Sequence, residues 1–336
     1  MRIFIFYLVL ETVEIGFLVR CKLVSLLTIS IVACCLVFLF SNCTSNTQDK
    51  SLYTSDILNT SGESFEIKDS QNRVLKFDSP AKSIIATAPC DVEVLAKLGC
   101  QNKIIARGDY CNYPDSVNSI ENVGSGITLS IERIINLSPD VVILNQMSQT
   151  SSQLSSLEAA GIKVFCTNPN TLDDIYKNII NLGYISGCVE ESQNLTFQMQ
   201  DTVSNLVNLN NENKSVYIEV YDINGSYWAA GKNTFLDDIC NKLSLTNIFS
   251  NVDGWAQISQ EQVVAKNPDY IITLAYSTYG QDQLNTVIDK VVSRNGWSNI
   301  AAVKNKSILA LDSNYATIPG PRVVDTAKSI ADLLNS

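Results

Sequence analysis

The sequence predicts an α/β protein: two Rossmann-like lobes with parallel central sheets, joined by one long α-helix. Three observations carry this expectation. Short apolar runs, such as 141–144 and 163–166, alternate with segments of helical period, the pattern of βα units feeding a parallel sheet. Two stretches match at a fixed offset: Asn122-Val123, Ser130, Glu132 and Pro139-Asp140 recur as Asn251-Val252, Ser259, Glu261 and Pro268-Asp269, each 129 positions later. A period of domain size implies two similar lobes. Between them, residues 189–210 keep Leu195, Met199, Val203 and Leu206 on one stripe without Pro or Gly. At 1.5 Å per residue this is a rod of roughly 33 Å, long enough to bridge two lobes.

From the amino terminus, residues 1–43 read as a sorting segment. Arg20 and Lys22 precede an apolar run over 23–40, and polar sequence follows. Cys43 is the candidate lipidation site; Cys34, closing Ile31-Val32-Ala33-Cys34, competes with it, and an uncleaved anchor is the alternative. Residues before Val19 read as superfluous. In each case the globular part is expected outside the cytoplasm, anchored to the cell membrane. Residues 44–62 read as a flexible tether, 63–168 as the first lobe, 169–212 as the bridging helix region and 213–336 as the second lobe.

In the first lobe, 64–67 and 74–77 alternate around Asp69-Ser70-Gln71-Asn72, a hairpin signal. Strand 83–87, the turn Pro89-Cys90-Asp91, helix 92–98 and strand 103–107 follow. Helix 131–137 then feeds strand 141–144, and helix 153–160 feeds strand 163–166. Thr171 with Asp174 forms a capping box for a helix running to 185, which Gly187 interrupts. Strand 215–220 opens the second lobe and helix 234–243 comes next. The copied unit is helix 260–266 with strand 270–274; helix 286–293, strand 307–311 and helix 323–334 complete the chain.

Composition narrows the function. Lys and Arg number 24 against 34 Asp and Glu, a formal charge of −10, which opposes a nucleic-acid surface. The chain has no histidine, which removes imidazole triads, His-ligated zinc and His-ligated haem. After position 43 the cysteines are Cys90, Cys100, Cys111, Cys166, Cys188 and Cys240, in no metal-binding spacing. Disulfides in an exported chain and small buried hydrophobes are both open readings.

Several segments in order resemble one family: Ser79-Pro80-Ala81-Lys82, Asp109-Tyr110-Cys111-Asn112-Tyr113-Pro114, Glu132 through Asp140, Ala230-Gly231-Lys232-Asn233-Thr234-Phe235-Leu236, Trp255 through Asp269, Trp297 through Val303 and Gly320-Pro321-Arg322. From Ser79 onward the chain resembles the ABC-transporter substrate-binding lipoproteins of the ferric-siderophore and cobalamin class, the class III periplasmic binding proteins with a helical backbone. The resemblance implies that Glu132 and Glu261 dock on arginines of a permease dimer served by a cytoplasmic ATPase. A first-turn glutamate favoured by the helix dipole, at about 0.3–1 kcal/mol, is the plainer reading of each.

The resemblance also implies a ligand between the lobes, beyond the carboxyl ends of the strands. Candidate contacts are Pro89, Cys90, Asp91 and Tyr110 from the first lobe and Trp228, Trp255 and Tyr315 from the second. Trp255 is placed in a loop after Gly254, and the aromatic set suits a large flat ligand. Gly126 stands where cobalamin binders of the family carry a tryptophan. Arg107, Arg322 and Lys232 offer little cationic charge to a tri-anionic catecholate complex. The expectation is therefore a corrinoid, with a hydroxamate-type ferric siderophore and then haem as alternatives. The cobalt or iron would belong to the cargo, and no cofactor or protein-held metal is expected. A carboxylate hydrolase using Asp91, Glu93 and Asp109 is a competing class, as is a permease-free sensor; neither is the expected reading, which is a binding protein and not an enzyme.

Overall fold

The computed structural model describes residues 56–146, 151–206, 214–223, 225–274 and 281–335, all within one compact unit, Tyr53–Ser336. The apolar run 23–40 and Cys43 lie outside the described residues. The tether ends earlier than expected. Residues 57–61 form a strand, β1 (Ile57–Ser61), paired antiparallel with β2 (Ser64–Lys68), which pairs in turn with β3 (Val74–Phe77). Phe65 and Phe77 stack at 4.9 Å on the core side of this small sheet, which is what orders the segment.

The first lobe follows the predicted βα order. Strands β4 (Ile84–Ala86), β5 (Ile104–Arg107), β6 (Glu121–Asn122), β7 (Val141–Asn145) and β8 (Val164–Thr167) form a parallel sheet in the order β6-β5-β4-β7-β8. All five residues of β7 are buried, because helices cover both faces of the sheet. The helices are α1 (Pro89–Lys97), α2 (Ile131–Leu137) and α3 (Ser151–Ala159). Pro89 starts α1, where a missing N–H is harmless.

The bridge holds both helices expected on either side of Gly187. It is a helical hairpin, α4 (Leu172–Ser186) and α5 (Val189–Asn205), turned at Gly187, whose φ of 74° favours glycine. Thr171 and Asp174 make the predicted capping box. α5 has 17 residues rather than 22, a length of about 25 Å. The hairpin is fastened to the first lobe by a disulfide from Cys100 to Cys188, by Lys103 Nζ donating to the Ser186 carbonyl, and by the Ala81 amide donating to Ile185. Cys90, Cys111, Cys166 and Cys240 are free and buried.

The second lobe carries β9 (Lys214–Ile223), β10 (Ser226–Ala230), α6 (Phe235–Lys242), β11 (Leu245–Asn247), β12 (Trp255–Ile258), α7 (Gln260–Lys266), β13 (Tyr270–Thr273), α8 (Gln281–Val292), α9 (Ala301–Lys304), β14 (Ile308–Ala310), α10 (Ser313–Ala316) and α11 (Val323–Asn335). Its sheet, β12-β10-β9-β13-β14 with β11 also on β9, is mixed rather than parallel, because β10 runs antiparallel to both neighbours. The expectation failed because β9 continues three residues past Val220 and turns back as a hairpin.

The repeat is real in three dimensions. α2 and α7 have the same bounds shifted by 129, and each ends in a left-handed residue, Ser138 and Asn267, both at φ 46°. Two residues further on, Asp140 and Asp269 hold the first strand of their lobes in the same way. Asp140 accepts from the Lys82 and Ser83 amides at 2.7 and 2.9 Å, and Asp269 accepts from the Ser215 amide and hydroxyl at 2.9 and 2.8 Å. Partial burial works upward on both carboxyls, and these donors outweigh it, leaving both below the ordinary aspartate value. The largest apolar core draws on both sheets and on the hairpin: Ile84 and Ile143, Val216 and Ile272, and Ile175 and Leu182. The lobes therefore share a floor instead of meeting only through a linker.

Candidate functional site

Strand direction sets where the cleft lies. The carboxyl ends of β4, β5, β6 and β8 carry the loops at 87–89, 108–110, 123–129 and 168–169. Those of β9, β13 and β14 carry the hairpin tip, the segment after 274 and the segment at 311–320. Such loops form the binding edge of open α/β sheets.

On the first lobe, close approach of chains makes this edge stiff. A Cβ on Gly108 would stand 2.1 Å from the Thr87 carbonyl oxygen and 2.5 Å from Ser125 Oγ, so only glycine fits. The Asp109 amide donates to Ser125 Oγ at 2.9 Å, and Thr128 Oγ1 donates to Asp109 Oδ2 at 3.0 Å. Ser125 and Thr128 also form a capping box around a 3₁₀ turn. These bonds hold two apolar side chains out in the open, Tyr110 at 74 % exposure and Ile127 at 92 %. Sequence reasoning named Tyr110 and missed Ile127, whose only sequence signal is its place beside Gly126.

On the second lobe, register decides which side chains share a face of the sheet. Trp228 is opposite Tyr221 on β9 and Gln257 on β12, and Ala230 is opposite Trp255. Ala230 belongs to the shared core, and Trp255 packs against that core, whereas Tyr227 and Ala229 belong to the cluster on the other face. Trp228, Tyr221 and Trp255 therefore lie on the same face of the sheet as Ala230. Trp255 is the first residue of β12 and not in a loop, half-buried with its ring edge-on to Phe235 at 6.0 Å. Tyr221 was missed because strand 215–220 was expected to stop one residue short of it.

Between the lobes a cavity of about 210 Å³ is lined by Pro89, Cys90 and Asn145 on one side and Thr317, Ile318 and Pro319 on the other. Pro89 and Cys90 thus reach the interlobe space, although burial pushes the Cys90 thiol well above its ordinary value and keeps it protonated. Asp91 does not reach it. Its carboxylate is wholly buried, accepting from Asn178 Nδ2 and Thr167 Oγ1, each at 2.9 Å, and so ties α1 to α4. Burial raises Asp91 to about 6 against the lowering pull of those donors. Tyr315 is half-buried against the shared core, its ring centroid 6.0 Å from the Arg322 guanidinium.

Both predicted arginines are already engaged by protein partners. Arg107 donates to the carbonyls of Val117, Gly108 and Asn118 at 2.9, 3.1 and 3.3 Å. Arg322 forms a two-bond pair with Glu93. Lys232 is exposed, its strand bridged to Asp253 just ahead of Trp255. The same contacts dismantle the hydrolase alternative, since Asp91 and Glu93 are each committed to structural partners and Asp109 is bound to Thr128. Glu132 and Glu261 are both exposed, each the second residue of its helix and each at the rim where its lobe's parallel strands end. Hydrogen bonds from its own amide and from Ser259 hold the Glu261 carboxyl below the ordinary range.

Comparison with known proteins agrees with this architecture. A family model described as periplasmic binding protein matches residues 84–315. A Bacillus subtilis protein named as an uncharacterized ABC transporter substrate-binding lipoprotein, YvrC, is 28 % identical over 79 % of this chain and 84 % of its own. A vitamin B12-binding protein of Vibrio cholerae is 24 % identical over 76 % of this chain and 90 % of its own. Among solved structures, a possible iron-binding periplasmic solute-binding protein of Staphylococcus epidermidis superposes with a TM-score of 0.65 at 25 % identity, covering 77 % of this chain and all of that one. The periplasmic haem-binding protein HutB of V. cholerae superposes at 0.66 and 21 % identity, over 76 % of this chain and all of that one. The chain belongs to the periplasmic binding protein family, in the class III group of siderophore-, cobalamin- and haem-binding proteins, whose members bind solutes rather than transform them.

Proposed function

We propose that the protein is the extracytoplasmic solute-binding component of an ABC importer and that its cargo is a corrinoid. What supports the ligand choice is an aromatic sheet face on the second lobe together with the engagement of Arg107 and Arg322 by protein partners. Trp228, Tyr221 and Trp255 offer a flat apolar surface, while Arg107 and Arg322 are already bound to carbonyls and to Glu93. A large, weakly charged ring system suits that combination. The B12-binding relatives support it. A hydroxamate-type ferric siderophore meets the same charge requirement and is the second reading.

Quenching of tryptophan fluorescence by cyanocobalamin, cobinamide, a ferric hydroxamate and haemin tests the choice directly. Micromolar or tighter binding of the cobalt compounds, lost in Trp255→Ala, is the expected result. Binding of the hydroxamate alone moves the assignment to the second reading. Failure of all four at millimolar concentration removes the cleft assignment. Delivery would use Glu132 and Glu261 as two equal acidic contacts for a permease dimer, each facing one subunit. The double variant Glu132→Ala with Glu261→Ala abolishes uptake and leaves ligand affinity intact; a fall in affinity contradicts the docking role. Anchoring would use a lipid on Cys43, so Cys43→Ala releases the protein from the membrane, and retention indicates an uncleaved anchor.

A further inference from the structure

Glu93 lies on α1, one turn beyond Pro89 and Cys90, and Arg322 lies three residues beyond Pro319 at the start of α11. These are the residues adjoining the two walls of the interlobe cavity. Arg322 Nε donates to Glu93 Oε2 at 2.9 Å, and Nη2 donates to Glu93 Oε1 and to the Asn314 carbonyl. The guanidinium also lies over the ring of Tyr113, 4.0 Å from its centroid. Tyr113 and Glu93 belong to the first lobe, whereas Arg322 and Asn314 belong to the second. Glu93 is almost fully buried, with side-chain exposure of 3 %, against 18 % for Arg322. Between the two anchors the backbones touch closely: a Cβ added to Gly320 would sit 3.6 Å from both Cys90 Cα and Glu93 Oε2.

We propose that Glu93 and Arg322 form an interlobe latch that fixes the spacing of the cleft walls before any ligand arrives. A carboxylate this buried is stable as an anion only with its partner in place. Widening the cleft at this point strips Glu93 of its cation, and that penalty opposes opening. A guanidinium fork matched to a carboxylate and resting on an aromatic face tolerates little displacement. Glu93 and Arg322 are positioning residues. They act on cargo through the separation of Pro89 and Cys90 from Thr317, Ile318 and Pro319. Only this consequence for cargo rests on the solute-binding reading.

The test measures lobe separation without ligand, so its failure is distinct from failure of the corrinoid assignment. In the full chain held in detergent, unnatural keto residues replace the exposed Asp115 and Lys304, one per lobe, and carry spin labels. Pulsed dipolar spectroscopy on the wild type is expected to give one narrow distance. Glu93→Gln adds a second, longer population, and the reversal Glu93→Arg with Arg322→Glu restores the single distance. Arg322→Lys, which keeps the charge but loses the fork and the stacking, gives an intermediate result and serves where Glu93→Gln folds poorly. A single unchanged distance in Glu93→Gln and Arg322→Lys overturns the latch. So does a reversal variant that stays as broad as Glu93→Gln, because the contact would then act by packing and not by charge.

Discussion

Replacing Asp91 with Asn isolates one buried carboxyl whose pH signature follows from its surroundings. In the folded chain Asp91 rises from 3.8 to about 6, driven by complete burial and only partly offset by Asn178 and Thr167. Between those two values the folded state holds a proton that the unfolded state has lost. Stability from this group is thus fully present below pH 4 and disappears as pH climbs through 6. The whole difference is about 3 kcal/mol, at about 1.4 kcal/mol for each tenfold change in proton affinity. Moving from pH 8 to pH 5 recovers about 1.4 kcal/mol of it. For a unit spanning Tyr53–Ser336, unfolding entropy of about 0.6 kcal/mol/K turns that gain into a Tm rise of about 2–3 °C. Glu93 and Asp238 are raised by burial, while Asp140 and Asp269 are lowered overall by their donors. All four remain in the variant, so their contributions cancel in the difference. Differential scanning calorimetry of both proteins at pH 5 and pH 8 is the assay. Equal pH responses in wild type and Asp91→Asn would refute the argument.

The other expectations concern stability. The Cys100–Cys188 bridge closes a separation of 88 residues, worth about 4–5 kcal/mol on the chain-entropy account, so Tm in dithiothreitol falls by roughly 5–10 °C; insensitivity to reductant counts against the bridge. Arg294 donates to the fully buried Glu219 at 2.6 and 3.0 Å, and Arg294→Gln leaves that carboxylate unpaired at a cost of about 3–5 kcal/mol, read from urea midpoints. Gly108→Ala drives a methyl into the Thr87 carbonyl and costs about 3 kcal/mol by the same measurement, whereas Gly161→Ala, with nothing within 4 Å of its Cβ, feels only its φ of 79°.

What could be read from the sequence was local or repeated. The bounds of α2 and α7 were legible because a capping residue, a short apolar stripe and a Pro-Asp exit delimit each of them. Strands β4, β5, β7 and β8 were legible as short apolar runs, whereas β6, the polar pair Glu121–Asn122, carries no such signal and was not expected. The hairpin of β9 and β10 was not, since Tyr221-Asp222 looks like the polar end of a strand. The pairing of Ser226, Tyr227 and Trp228 with Ile223, Asp222 and Tyr221 shows that the strand continues. Asp91 was misplaced for a related reason. A carboxylate after Pro-Cys at a helix start looks like a cleft residue until Asn178 and Thr167, 87 and 76 residues away, are seen to enclose it. Both helices of the bridge were legible, but nothing in 189–210 announces that the longer one packs on the helix before it.

The two halves agree and differ at informative places. They agree at the glutamate of the first helical turn, at the left-handed helix exit, and at the aspartate that secures the first strand. They differ at the next matched position inward, where Gly126 stands against Trp255, and in the direction of the strand beside the central one. An importer built from two equal subunits would offer the same surface twice, so equivalent outward carboxylates are useful on both lobes. The lobes themselves are unlike: one has a stiff rim held by Gly108, Ser125 and Thr128, and the other has a reversed strand carrying Trp228 opposite Tyr221. The inversion of β10 is therefore the structural step that breaks the likeness of the two lobes, and it is what sets Trp228 opposite Tyr221 on one face of the second sheet.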